Sequence, residues 1–198
     1  AEEEAAAQPA DGEDEAQPEE EAEEGPAPVP PVFDFEGEEL APNWTAFGQD
    51  AQCAIADGFG QAHAGRGALM LTYTPSEGSV PGVNVAPLEP APGCTAFEMA
   101  INTDELSSIR FCAVEEDGSE YEGYLASPAG EWMEVAVPLG EMGLSEGSED
   151  ENGSLDPEQI TRITIMDLCN LPGEMGRALG VKQGTQHMYL DNVMLSQA

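Results

Sequence analysis

Basic residues are scarce in this chain of 198 residues, in which five Lys and Arg stand against forty Asp and Glu, for a formal net charge of −35 at pH 7. A field of that sign repels phosphate backbones and anionic lipid headgroups, so nucleic acid and bare membrane surfaces are poor candidate partners. Neutral glycans, cations and basic protein surfaces remain compatible. Adaptation to high salt would also produce this acidity, so the charge by itself is compatible with several functions.

Long apolar runs and histidines are also scarce. No stretch approaches the 18 apolar residues that a membrane-spanning helix requires. The chain opens on charged residues, so we expect no signal peptide within it. His63 and His187 are the two histidines and supply few general bases, while the abundance of carboxylates makes any one acidic pair uninformative. We therefore predict that this chain is not an enzyme.

Cysteine is limited to Cys53, Cys94, Cys112 and Cys169. None of them forms a CxxC pair or has a histidine at zinc-finger spacing, which excludes a structural zinc knuckle. Cys112 and Cys169 lie in strand-like runs, and Cys53 and Cys94 lie in loop-like surroundings. Two disulfides and buried free thiols both remain open at this point.

The composition divides the chain in two. Residues 1–31 hold twelve carboxylates, six prolines and no Lys or Arg. Charge repulsion and polyproline stiffness both favour extension there, so we predict a disordered acidic linker. Residues 32–198 are enough for one core of ordinary size. We therefore expect one folded domain displayed on an acidic tether.

Within the domain, short apolar and β-branched runs alternate with turns rich in Gly, Pro and Asp. Asp117-Gly118 between two such runs is a strong hairpin signal. One helical turn is predicted at 156–159, with Asp156 as its cap and Pro157 in first position. Strands without intervening helices indicate an all-β fold, a two-sheet antiparallel β-sandwich of the jelly-roll type. The predicted strands are 32–35, 68–74, 83–85, 95–101, 108–114, 120–125, 132–137, 160–166 and 188–195.

Several segments, in this order, resemble the carbohydrate-binding modules of the galactose-binding-like jelly-roll superfamily. They are Phe33 to Gly37 with Trp44, Ala62 to Leu69, Gly130 to Trp132 with Val135 to Leu139, Ile160 to Ile163, and Tyr189 to Val193. The resemblance covers residues 32–196. It implies a non-catalytic module that binds a polysaccharide, a glycan or a cell-surface protein, exported to the cell exterior or surface and tethered on its N-terminal side by a lipid or a neighbouring domain. The alternatives are a structural or protein-interaction β-sandwich without a sugar site and, more weakly supported, an intracellular assembly factor.

The resemblance also implies a structural calcium ion beside the first and last strands. It points to Glu36 and Asp191, with Asp57 or backbone carbonyls before His63 completing the shell. Calcium takes six to eight oxygen ligands in flexible geometry, and carboxylates from both chain ends would join those ends. The alternative is that Glu36 and Asp191 are ordinary turn or edge carboxylates.

A sugar site needs an exposed aromatic ring beside polar groups. Trp44 and Trp132 are expected in the core. Tyr121 and Tyr124 face opposite sides of one strand unless Gly123 forms a bulge, so one of them should be exposed. If the site is the concave face of the second sheet, as in part of the superfamily, the candidate ligand-binding residues are Arg110, Tyr121, Glu122 and Tyr124. The alternatives are a solvated face without ligand and a loop-end site near His63, Arg66 and Tyr73.

Overall fold

A computed structural model describes residues 32–58, 60–89, 92–168, 170–171 and 182–197. The predicted linker, residues 1–31, lies outside this range, as does Cys169. No helix in the part described is long and apolar enough to cross a membrane.

Two six-stranded antiparallel sheets form the domain, as predicted. The first contains β1 (Val32–Phe33), β3 (Gln52–Ala56), β4 (Ala68–Tyr73), β6 (Ala96–Thr103), β9 (Met133–Pro138) and β12 (Gln186–Ser196), in the order β3-β4-β12-β6-β9 with β1 also paired to β12. The second contains β2 (Trp44–Phe47), β5 (Gly82–Val85), β7 (Ser107–Glu115), β8 (Glu120–Ser127), β10 (Gly143–Leu144) and β11 (Ile160–Asp167), in the order β10-β8-β7-β11-β5-β2.

The core lies between the sheets, where apolar side chains from alternate strand positions meet. Phe97 of the first sheet packs against Phe111 of the second, with 6.0 Å between their ring centroids. Trp44 is buried, as predicted, and its ring contacts Phe33 and Phe35 edge to face. Because the inner faces are apolar, any ligand surface must lie on the outer faces or at the loops.

In the described part of the chain, two 3₁₀-helical turns connect strands, at Leu139–Glu141 and Pro157–Gln159. The second confirms the predicted turn with Pro157 in first position. The predicted Asp156 cap is wrong, because its side chain makes no capping bond to the turn backbone. Its Oδ2 instead accepts hydrogen bonds from the side chains of Asn152 and Gln159, at 3.0 and 2.8 Å.

The described cysteines are free thiols: Cys53, Cys94 and Cys112. Cys112 lies in a strand as predicted, whereas Cys53 lies in β3 rather than in a loop. Burial raises the pKa of the Cys112 thiol to about 12 and, less strongly, the pKa values of Cys53 and Cys94. All three pack against apolar side chains, Cys53 and Cys94 in the main core and Cys112 in a smaller cluster with Met166 and Leu168.

A buried polar cluster lies at one end of the sandwich and includes Lys182, the only lysine of the chain. Its Nζ is 2.7 Å from Oδ2 of Asp167, and both side chains are at least 98% buried. Lys182 also donates to the hydroxyl of Ser107, while the Tyr73 hydroxyl donates to the same carboxylate oxygen of Asp167. The cluster joins β4, β7 and β11 to the chain segment that precedes β12.

Candidate functional site

Three of the four predicted sugar-binding residues share the outer face of the second sheet. Arg110 on β7 stands opposite Tyr124 on β8, and Glu122 lies two positions before Tyr124. The side chain of Tyr124 is 56% exposed, which is high for a large aromatic residue. Partial burial and a hydrogen bond to Glu122 raise the pKa of Tyr124. The structure therefore presents an aromatic ring with a carboxylate at its polar end.

Arg110 is held in this surface by two carboxylates. Its Nη2 lies 2.8 Å from Oε1 of Glu120 and also forms an ion pair with Glu122. Ser145, in the loop after β10, accepts a hydrogen bond from Arg110 at 3.2 Å and donates one to Glu122 at 3.2 Å. The guanidinium is thus fixed at the base of the Tyr124 surface with part of its donor capacity already used.

Tyr121 does not belong to this surface. It is 99% buried on the inner side of β8, and its hydroxyl donates a 2.5 Å hydrogen bond to Oδ2 of Asp150. The pairing of β7 with β8 runs without a shift through Gly123, so no bulge brings Tyr121 and Tyr124 to the same face. One of the two tyrosines is exposed, as parity predicted; the residue is Tyr124, and including Tyr121 among the surface candidates was wrong.

The candidate calcium ligands Glu36, Asp57 and Asp191 do not converge on one point in the described residues. Asp191 is fully buried: Oδ2 accepts the backbone N–H groups of His63 at 3.0 Å and Ala64 at 2.9 Å, and Oδ1 accepts that of Asn192 at 2.8 Å. These bonds attach the loop after β3 to β12.

The other two candidates, Glu36 and Asp57, lie near the two ends of the loop after β3: Asp57 begins this loop, and Glu36 contacts its last residues. Both are exposed and line one open cavity of about 360 Å³. Oε1 of Glu36 accepts the backbone N–H groups of Arg66 and Gly67, at 2.8 and 3.2 Å. Glu36 therefore retains one oxygen without such a bond, and Asp57 supplies a carboxylate to the same cavity.

The loop-end alternative around His63, Arg66 and Tyr73 does not assemble. Tyr73 is 99% buried and directs its hydroxyl to Asp167 inside the sandwich. His63 is half-buried and Arg66 exposed, both in the loop after β3. A ligand could not contact all three residues from outside.

One surface was missed by the sequence analysis. A groove of about 460 Å³ follows the outer face of the first sheet, lined by residues that include His63, Glu98, Ala100, Glu134, Ala136 and Met194. Beside it lies a row of four half-buried rings, with 5.7 Å between His63 and Trp132, 6.4 Å between Trp132 and Tyr189, and 6.0 Å between Tyr189 and His187. Trp132 therefore belongs to this row, and its predicted place in the core was wrong.

A serine pentapeptide of the G-x-S-x-G type, Gly143 to Gly147, also escaped the sequence analysis. In hydrolases this pattern places a nucleophile on a turn between a strand and a helix. Here Ser145 is 94% buried, follows the two-residue strand β10, and bonds to Arg110 and to Glu122. No described histidine contacts it, and its hydroxyl donates to the Glu122 carboxylate.

Comparison with known proteins supports the fold. No protein-family model matches the sequence, and no curated protein sequence matches it. A family 11 carbohydrate-binding module from Clostridium thermocellum, in complex with a β-1,3-1,4-mixed-linked tetrasaccharide, superposes with a TM-score of 0.61 at 16% identity, over 87% of this chain and 98% of that one.

Two other solved structures are similar in the same way. TmCBM61 in complex with β-1,4-galactotriose gives a TM-score of 0.53 at 13% identity, over 83% of this chain and 94% of that one. An exo-β-agarase gives 0.58 at 15% identity, over 82% of this chain and 24% of that one, so the likeness covers about a quarter of the agarase. The chain therefore has a β-sandwich fold similar to that of these modules, which confirms the predicted fold class.

Proposed function

We propose that this chain is a non-catalytic carbohydrate-binding module whose glycan site is the outer face of the second sheet around Tyr124. The observation that carries the proposal is the exposed Tyr124 ring beside Arg110 and Glu122. An aromatic face stacks on the apolar side of a pyranose ring, while charged groups next to it hydrogen-bond the sugar hydroxyls. The three side chains supply both kinds of contact within one sheet face.

The ligand proposed is a neutral polysaccharide or oligosaccharide. Two structural neighbours are solved with a mixed-linked tetrasaccharide and with β-1,4-galactotriose. The strongly negative chain would repel glycans that carry carboxylate or sulfate groups. An uncharged sugar is not repelled in this way.

Replacing Tyr124 with Ala tests the site. We expect about tenfold weaker glycan binding, since an aromatic stacking contact contributes about 0.5–1.5 kcal/mol beyond the area it buries. Tyr124→Phe keeps the ring and should retain most of the affinity. Isothermal titration calorimetry, with a glycan that the wild type binds, measures the affinity of the wild type and of both Tyr124 variants. Leu106→Ala, at an exposed position outside β8, serves as the control. Unchanged affinity in Tyr124→Ala would move the site elsewhere.

The proposal includes the absence of catalysis. Ser145 lacks a histidine partner in the described part of the chain, and the hydrogen-bonded carboxylates Glu120 and Glu122 are both paired with Arg110. These features support binding rather than bond cleavage.

A structural calcium ion, held by Glu36 and Asp57, is also part of the proposal. The two carboxylates line one cavity, and oxygen ligands of this kind suit calcium. Asp191 already accepts three N–H groups and is proposed to position the loop beside the ion.

Calcium should then raise the melting temperature, and a Glu36→Gln, Asp57→Asn double variant should lose that increase. A ligand present at 100 times its Kd stabilises the folded state by about 2.7 kcal/mol, which corresponds to roughly 5–10 °C for a domain of this size. Differential scanning fluorimetry with calcium and with a chelator measures the difference. The same shift in wild type and double variant would contradict this ligand set, and no shift in either would contradict the ion.

The domain is proposed to act outside the cell or at its surface, attached through its acidic N-terminal linker. Support comes from the linker composition and from the fold, which the agarase carries as one part of a longer chain. The alternative is a structural or protein-interaction β-sandwich. It is favoured if no glycan binds and a basic protein partner does.

A further inference from the structure

The floor of the groove on the first sheet is made of small side chains. In the pairing of β6 with β9, Glu98 stands opposite Ala136 and Ala100 stands opposite Glu134. These four residues form the corners of a square, with the two alanines on one diagonal and the two carboxylates on the other. Met194 on β12 lies opposite Glu98 and continues the apolar floor. Diagonal neighbours in an antiparallel pair are roughly 7–8 Å apart, so both carboxylates can contact one small ligand.

The walls of this groove are acidic. Glu134 is 82% exposed, and Glu98 accepts a hydrogen bond from the Ser196 hydroxyl. Among the described residues that line the groove, none is Lys or Arg, and His63, with its Nε2 3.6 Å from Oε1 of Glu134, is the one basic side chain. The potential here attracts cationic groups and disfavours anionic ones.

The aromatic row forms one end of the groove through His63. His63 lines the groove, and its ring lies 5.7 Å from that of Trp132, the next ring of the row. Aromatic rings beside a groove with polar walls suit a sugar, whose ring has apolar faces and hydroxyl edges.

From this geometry we infer that the groove is a second binding site, for a glycan that carries free amino groups. A sugar ring lies on the alanine floor, and its ammonium group lies between Glu98 and Glu134. The groove volume of about 460 Å³ falls within the range of ligand sites, roughly 300–1,000 Å³. A basic peptide fits less well, because an extended peptide needs pockets for alternate side chains and the floor offers flat alanines.

This inference goes beyond the Tyr124 site, which is proposed for neutral glycans on the other sheet. The probes are chitosan hexasaccharide, whose sugars carry free amino groups, and its fully N-acetylated counterpart, which is neutral. In calorimetric titrations at low salt, with the Tyr124→Ala variant of the full chain so that the neutral-glycan site does not contribute, chitosan should bind at least about tenfold more tightly than the acetylated form. Binding should weaken strongly in about 1 M salt, where the screening length is about 3 Å.

Two variants localise the site. Glu134→Gln removes an exposed charge and should weaken chitosan binding about two- to fivefold. Ala136→Arg places bulk and positive charge on the floor and should abolish binding. Both positions are exposed on β9, so the variants should melt like the wild type. Tyr124→Ala should leave chitosan binding unchanged, which separates a failure of this inference from a failure of the Tyr124 site.

Equal affinity for the two hexasaccharides would overturn the amino-group assignment. Chitosan binding that survives Ala136→Arg would overturn the location. A lysine hexapeptide that binds more tightly than chitosan, and loses binding in Glu134→Gln, would show a docking surface for basic peptides instead.

Discussion

A Lys182→Met variant should lose about 3–5 kcal/mol of unfolding free energy. Lys182 and Asp167 form an ion pair of 2.7 Å in which both side chains are at least 98% buried. Methionine keeps the length of the side chain and removes the charge, so the buried ion pair between Lys182 and Asp167 is broken. Removing one partner of a buried ion pair costs far more than the loss of an exposed pair.

Urea denaturation followed by tryptophan fluorescence measures the loss. The matched control is Arg162→Met, which removes an exposed cation from β11 and should change the unfolding free energy by less than about 0.5 kcal/mol. Adding Asp167→Leu to Lys182→Met should recover part of the stability, because an apolar pair of similar volume can replace a buried ion pair. A loss below 1 kcal/mol in Lys182→Met would show that the pair is not formed as the structure describes it.

An Asp191→Ala variant should lose about 2–4 kcal/mol of unfolding free energy, the second-largest loss after that of Lys182→Met. The carboxylate accepts the N–H groups of His63, Ala64 and Asn192, and removing it leaves these donors to find water or remain unpaired. A hydrogen bond to a charged group contributes about 1.5–3 kcal/mol, and rehydration of the loop offsets part of the sum. Because the bonds join the loop after β3 to β12, the loop should separate from the sheet.

Hydrogen exchange of the His63 and Ala64 amides detects that separation directly, and thermal melting in a chelator gives the overall loss. Asp57→Ala changes an exposed carboxylate near the start of the same loop and should be close to neutral without calcium. Slow exchange of both amides in Asp191→Ala would contradict the role assigned to this carboxylate.

Strands and turns were predictable because their signals are local. The run Ala68–Tyr73 and the hairpin at Asp117-Gly118 follow from side-chain alternation and turn chemistry over a few residues. The strands Trp44–Phe47 and Gln52–Ala56 were missed because four or five residues, with small and polar members, carry too little alternation to be recognised. They form through pairing with β5 and β4.

The exposed tyrosine was predictable for the same reason. Tyr121 and Tyr124 differ in parity, so the sequence alone indicated that one of them is exposed. The choice between them required the sandwich itself, since either side of β8 could have faced the core. In the structure, Tyr121 is buried and its hydroxyl donates to Asp150, so Tyr124 is the exposed residue.

The groove could not be predicted, because its residues are distant in sequence. Glu98, Glu134 and Met194 lie on three strands, and His63 lies in a loop. The alanine floor carries no chemical signal of its own. The resemblance implied Asp191 as a calcium ligand, which stays a prediction. Its bonds to the backbone N–H groups of His63 and Ala64 could not be predicted from the sequence, because they join positions 128 and 127 residues apart.

Glycan binding at the Tyr124 face can be measured by screening the full chain on a glycan array with calcium, beside its Tyr124→Ala variant. The wild type should bind one class of neutral glycan, and Tyr124→Ala should lose this signal while keeping any signal from amino-sugar glycans. The absence of binding to every neutral glycan, or a neutral-glycan signal that Tyr124→Ala retains in full, would contradict this expectation.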